Sequence, residues 1–163
     1  MAERKSETTL EQKGDRELVI TRLFNAPARM VFEAWTQPEL VRRWWAPASH
    51  EVAVVSIEAD VRVGGTWRYV LKPKQHPQFA FYGEYHEVTP HTRLRYSSIF
   101  EPFPDLPTQT TVSFEARGEQ TLLTSSELYA SAEALKMALE SGMEHGMRET
   151  MDQLDELVQS LGG

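Results

Sequence analysis

The 163-residue sequence has no cysteine. That excludes a disulfide framework, a thiolate nucleophile and cysteine-ligated metal centres. Positive charge is also scarce. Lys and Arg total 17 against 24 Asp and Glu, a formal net charge of −7 at pH 7. A broad nucleic-acid footprint is not expected, because phosphate recognition needs local positive charge. No run approaches the roughly 20 apolar residues that cross a bilayer. Met1 to Asp15 is mostly polar, mixes both charge signs and lacks the apolar core of a secretory signal. The expected location is cytoplasmic, with neither nucleic acid nor membrane as partner. Gly64-Gly65 lacks both the glycine pattern and the following helix of a dinucleotide site, and reads as a strand entrance or bulge. None of the histidines (His50, His76, His86, His91, His145) forms a His-Glu-x-x-His motif, and no Ser-His-Asp arrangement is convincing. No cofactor or metal is expected.

What is present fits a folded domain: 40% of residues are hydrophobic and 25% charged. A chain of this length buries enough surface to fold without a staple. Residues 1–15 read as a flexible tail and 16–161 as a single domain. Arg16 to Phe24 alternates as a strand, with Leu18, Ile20, Arg22 and Phe24 on one side. Both sides carry apolar residues, so the pattern does not choose the inward face. Pro27 suits a helix start, and Met30, Val31, Ala34 and Trp35 have helical spacing. A second short helix is expected to carry Leu40, Val41, Trp44 and Trp45, ending at Pro47.

Strands follow at Val52–Ile57, Thr66–Leu71, Phe79–Val88, Arg93–Phe100, Thr108–Ala116 and Thr121–Tyr129. Their short links predict an antiparallel meander. Three prolines make Glu101–Pro107 an irregular, stiffened loop. The period then becomes helical from Leu135 through Met143, Met147, Met151 and Leu154 to Val158. One continuous or gently kinked helix is expected over residues 133–159, with Ser131 as its N-cap. Gly142 and Gly146 would lie on its apolar side, where each costs roughly 1 kcal/mol against alanine. A long helix packed on a meander gives an α+β domain.

The order β-α-α, then successive strands, then a helix resembles the helix-grip fold of the START and Bet v 1-like (SRPBCC) superfamily. Narrower signatures are Ala26-Pro27, Val31-Phe32-Glu33-Ala34-Trp35-Thr36, Pro38-Glu39-Leu40, Trp44-Trp45 and Gly64-Gly65. They continue with Gly83-Glu84-Tyr85-His86-Glu87-Val88-Thr89-Pro90, Arg93-Leu94, Gly142-Met143, Gly146 and Leu154-Asp155-Glu156-Leu157. In this order they are similar to bacterial relatives of the C-terminal domain of the Hsp90 ATPase activator. The resemblance covers roughly residues 16–160. It implies a curved antiparallel sheet wrapped around a long C-terminal helix, with two short helices after the first strand. It also implies the C-terminal type of domain alone, because 163 residues are too few for the activator's two domains. Where the family often has a tryptophan after the second helix glycine, this chain has Met147.

A sheet bent around a helix leaves either core or pocket between them, and small-molecule sites are concave and mostly apolar. The candidate cavity residues are Trp35, Trp44, Trp67, Tyr69, Phe79, Phe81, Tyr85, Tyr96, Phe114, Met143, Gly146 and Met147. Each is equally readable as ordinary core. Trp44-Trp45 reads as scaffold, pocket lid or partner anchor, and the 101–107 loop as a cavity cover, a partner surface or a plain connection. Arg68, Glu84, Glu87, Arg95, Glu115 and Glu127 lie on strands, where most are expected to face solvent. A glutamate buried among aromatics would have a raised pKa and could act as a general acid or base. The leading expectation is a binding domain for a small hydrophobic molecule. The alternatives are an activator-like interaction domain with a chaperone or self-association partner, and a polyketide-cyclase-like enzyme.

Overall fold

Alternation along the first long strand resolves once its partners are known. In the computed structural model, which describes residues 8–162, β2 (Glu17–Phe24) buries Leu18, Ile20, Arg22 and Phe24. Two helices follow, α1 (Ala28–Thr36) and α2 (Pro38–Val41). The meander consists of β3 (Val52–Ala59), β4 (Thr66–Pro73), β5 (Phe79–Thr89), β6 (Arg93–Phe100), β7 (Thr108–Arg117) and β8 (Gln120–Leu128). With β1 (Thr9–Lys13) these strands form an eight-stranded antiparallel sheet in the order β1-β2-β8-β7-β6-β5-β4-β3. Helices α3 (Ala132–Glu140) and α4 (Met143–Gly162) complete the chain. The result is the expected α+β helix-grip fold.

Three local expectations are corrected. Residues 9–13, read as part of a tail, pair with β2 from Thr9↔Thr21 to Lys13↔Glu17. Backbone hydrogen bonds rather than apolar burial hold this polar edge strand, so hydropathy carries no trace of it. The rest of the expected tail, residues 1–7, lies outside the described residues. The single helix over 133–159 is two helices, because Gly142 adopts φ +84° and ends α3. A left-handed glycine after the last turn is a common helix stop. Finally, α2 ends at Val41, and Trp44 and Trp45 occupy the turns beyond it.

The core lies between the sheet, α1 and the C-terminal half of α4. Phe32 of α1 meets Phe114 of β7 edge-to-face at 5.4 Å, beside fully buried Val31 and Ala34. Met151, Leu154, Leu157 and Val158 bring α4 into the same cluster. Each such buried side chain contributes roughly 1.5–3 kcal/mol. Arg22, only 1% exposed, ties the layers together. Its guanidinium pairs with Asp152, lies 3.4 Å from buried Asp155, and donates to the Thr8 hydroxyl at 3.1 Å. Arg148 of α4 also bonds the Thr8 carbonyl. These contacts anchor the start of β1 against α4.

Candidate functional site

Between α3, the first turns of α4 and the sheet lies a cavity of about 730 Å³. This is within the roughly 300–1,000 Å³ range of small-molecule sites. Its walls differ in chemistry by element. On β4 and β5, register places Trp67 opposite Gly83, Tyr69 opposite Phe81 and Leu71 opposite Phe79, and every one of these but the glycine lines the cavity. Trp45 packs against Tyr69 at 5.1 Å and Phe81 at 5.0 Å. Phe81 stacks on Phe100, and Phe103 extends the aromatic series from the proline-rich loop. The helices contribute Met143, Gly146, Met147 and Met151. Thioethers make this wall adaptable in shape.

Gly83 permits one decisive arrangement. The Trp67 indole lies beside it and donates to the Ser97 carbonyl at 3.1 Å. At the neighbouring position the Glu84 N–H bonds the Ser97 hydroxyl at 3.1 Å. A Cβ on Gly83 would collide with the Ser97 carbonyl oxygen and come within 2.8 Å of the Trp67 ring nitrogen.

The third wall is polar. A row across the sheet runs Tyr85↔Tyr96↔Thr110↔Glu127, with Ser125 and Tyr129 on the same side. Thr110 is short, so it leaves a notch between the larger side chains that flank it. Tyr129 donates its hydroxyl to Glu127 Oε1 at 3.1 Å. Burial raises the Glu127 pKa above its ordinary value, and the Tyr129 hydrogen bond opposes part of that rise. Burial also raises Tyr96, with the nearby Glu127 charge adding to it, while the Trp35 side chain hydrogen-bonds the Tyr96 hydroxyl and pulls the other way. Tyr85 is pushed up to about 12, chiefly by burial. Tyr69 is raised by burial and by the charges and hydrogen bonding of neighbouring tyrosines. These phenols therefore stay neutral and serve as hydrogen-bonding groups at ordinary pH. Glu127 is the cavity's ionisable carboxyl, and no Lys, Arg or His is among the described residues lining it.

The profile of the family described as Activator of Hsp90 ATPase homolog 1-like protein matches residues 25–159. The chain belongs to this family. A solved Mycobacterium smegmatis protein, Ms6760, is 29% identical over 93% of this chain and 96% of its own, with a TM-score of 0.80. A Rhodobacter sphaeroides protein is 21% identical over 94% of this chain and 99% of its own, with a TM-score of 0.87. NE0264 from Nitrosomonas europaea is 22% identical over 93% and 99%, with a TM-score of 0.81. The latter two likenesses show the fold. Comparison with curated proteins gave no significant match. As a family member, the chain is an SRPBCC-type domain for hydrophobic-ligand binding or interaction. Among the described residues no helix is long and apolar enough to cross a membrane, and no group of three His, Asp or Glu is placed to hold a metal ion.

Within this family member, the candidates read from sequence separate cleanly. Trp35, Trp44, Trp67, Tyr69, Phe79, Phe81, Tyr85, Tyr96, Met143, Gly146 and Met147 all border the cavity. Phe114 does not. It is buried against Phe32 and Trp35, where α1 covers β7. Trp44 borders the cavity but is 3% exposed, and its indole N–H donates to the Ala34 carbonyl at 2.8 Å. Its role is to brace α1. Sequence reasoning misses the polar wall: it expects most of the charged strand residues to face solvent without singling out Glu127, and it passes over Thr110, Ser125 and Tyr129. The available signal was pairing: Ser125 faces Ile20 and Glu127 faces Leu18 across β2.

Proposed function

We propose that this protein binds a small, mainly hydrophobic molecule between α3, α4 and the inner face of the sheet. The observation carrying this reading is the 730 Å³ cavity with aromatic and methionine walls in an otherwise closely packed domain. Covering apolar ligand surface contributes roughly 25 cal/mol per Å² before association costs are met. An aromatic or aliphatic body therefore needs no charged partner to be held. The test replaces Gly146, a buried residue on the cavity side of α4, with leucine. Wild type and G146L would be titrated with aromatic and aliphatic ligands by tryptophan fluorescence and calorimetry. The reading expects saturable one-to-one binding by wild type and at least about tenfold weaker binding by folded G146L. Equal binding by both would place the site elsewhere.

A second reading rests on the Glu127–Tyr129 pair at 3.1 Å. A half-buried carboxyl beside a phenol can move a proton during ring closure, as a polyketide-cyclase-like enzyme requires. Incubating the protein with a short poly-β-ketone thioester tests it by mass spectrometry. This reading expects accelerated cyclisation that E127Q abolishes. An unchanged product profile would refute it.

A further inference from the structure

From the polar notch on β6–β8 we infer that the ligand carries one hydrogen-bond-donating head, a hydroxyl or an amine, seated against Glu127, and that carboxylic acids are excluded. This rests on the hydrophobic-ligand reading and specifies which member of that broad class the cavity selects.

Proteins that hold an anionic amphiphile in an apolar interior need a cation or several strong donors at its head, since an unpaired buried charge is costly. Here the described cavity lining offers no Lys, Arg or His, and its one charged-type side chain is acidic. A ligand carboxylate would bring a second negative group beside Glu127. A donor head meets the opposite situation. Tyr129 occupies Glu127 Oε1, and among the described residues no other side chain bonds this carboxyl. Glu127 therefore retains acceptor capacity toward the cavity. Thr110 and Ser125 are small neighbours whose hydroxyls can accept or donate a further bond. The apolar body would then lie toward Trp45, Phe81 and Met147, on the other walls.

The raised pKa of Glu127 is consistent with this geometry, because burial without a cationic partner is its principal cause. A donor head relieves that condition, whereas a carboxylate aggravates it. Hydrogen bonds to charged groups contribute more than neutral ones, about 1.5–3 kcal/mol, which corresponds to a discrimination of about tenfold or more.

The experiment uses four probes with one aromatic body: 1-pyrenemethanol, 1-pyrenemethylamine, 1-pyreneacetic acid and 1-methylpyrene. Each is titrated into the full chain at pH 7.5, following energy transfer from tryptophan to pyrene. The expected order places the alcohol and the amine at least about tenfold tighter than the acid, with methylpyrene between. An amine tighter than the alcohol assigns an ion pair with Glu127, and the reverse assigns a neutral hydrogen bond. In E127Q the spread between amine and acid should shrink to about threefold or less. The wild-type order decides the matter even should E127Q fail to fold. Four probes binding equally well, or the acid binding tightest, would overturn the head-group inference while leaving the hydrophobic cavity standing. Saturable binding by none of them would overturn the ligand reading itself, and the head-group inference with it.

Discussion

Replacing Gly83 with alanine should be among the most damaging small changes available to this fold. The added methyl has no room. It would overlap the Ser97 carbonyl oxygen, approach the Ser97 carbonyl carbon to 2.7 Å and the Trp67 ring nitrogen to 2.8 Å. The Ser97 contacts are with backbone, so a rotamer change cannot relieve them. Accommodating the methyl must push β6 from β5 or displace the Trp67 ring. Overpacking of this kind costs about 1–3 kcal/mol. Losing the Trp67–Ser97 hydrogen bond adds about 1 kcal/mol. The total is about 2–4 kcal/mol, which in a domain of this size lowers Tm by about 5–15 °C. Differential scanning calorimetry measures this directly, and near-ultraviolet circular dichroism reports the displaced indole. A second variant identifies the decisive contact. Trp67→Phe removes the indole N–H but leaves the Ser97 backbone in place, so G83A should remain costly in that background. A stability within about 0.5 kcal/mol of wild type for G83A, the scale of an ordinary surface change, would refute the reasoning.

Other outcomes follow from the same structure. Arg22→Ala leaves Asp155 buried without its cation and should cost about 3–5 kcal/mol in urea unfolding, with part of the loss recovered by Asp155→Asn in the same chain. Glu127 binds its proton more tightly when folded than at its ordinary pKa of 4.5. Wild-type stability should therefore fall relative to E127Q as pH rises from about 4.5 through the raised folded value, then run parallel above it. Denaturant midpoints across pH 4–9 check this, and a gap independent of pH would contradict it. Gly142→Ala forces a side chain into φ +84° where nothing lies within 4 Å, so its cost is purely conformational, about 1–2 kcal/mol by thermal unfolding.

The parts of the molecule legible in its sequence are those where side-chain pattern and backbone demand coincide. The strands from Thr66 to Leu128 announce themselves by β-branched and aromatic runs between turns, and Ser131 caps α3 as its chemistry requires, accepting from the Ala134 N–H at 3.0 Å. Apolar periodicity passes through Gly142 unbroken, which is why the sequence reads as one helix. The break is a backbone event at a residue with no side chain to disturb the pattern. Edge strand β1 is polar on nearly every residue and is held by its ladder and by Arg22 and Arg148 reaching Thr8. Nothing local to residues 8–13 encodes those partners.

The aromatic wall of the cavity was similarly readable, because a hydrophobic interior surface and a core use the same residues. Phe114 shows the limit of that reading: its type and spacing match Phe81, but α1 lies over it and closes the space. The polar wall was hidden for the opposite reason. Glu127 sits in a strand where Thr, Ser and Leu alternate on both faces, so its direction is settled only by β8 pairing with β2 and β7. Long-range register, not local composition, turns a surface-like glutamate toward the interior.

The central claim is that the space beneath α3 and α4 is a ligand site with an aromatic side and a carboxylate side. A crystal structure of the full chain with 1-pyrenemethanol tests it most directly. The account predicts one pyrene inside the cavity, its rings against Trp45 and Phe81 and its hydroxyl within hydrogen-bond distance of Glu127. A cavity filled by inward movement of α3, or a pyrene bound only on the outer surface, would contradict it.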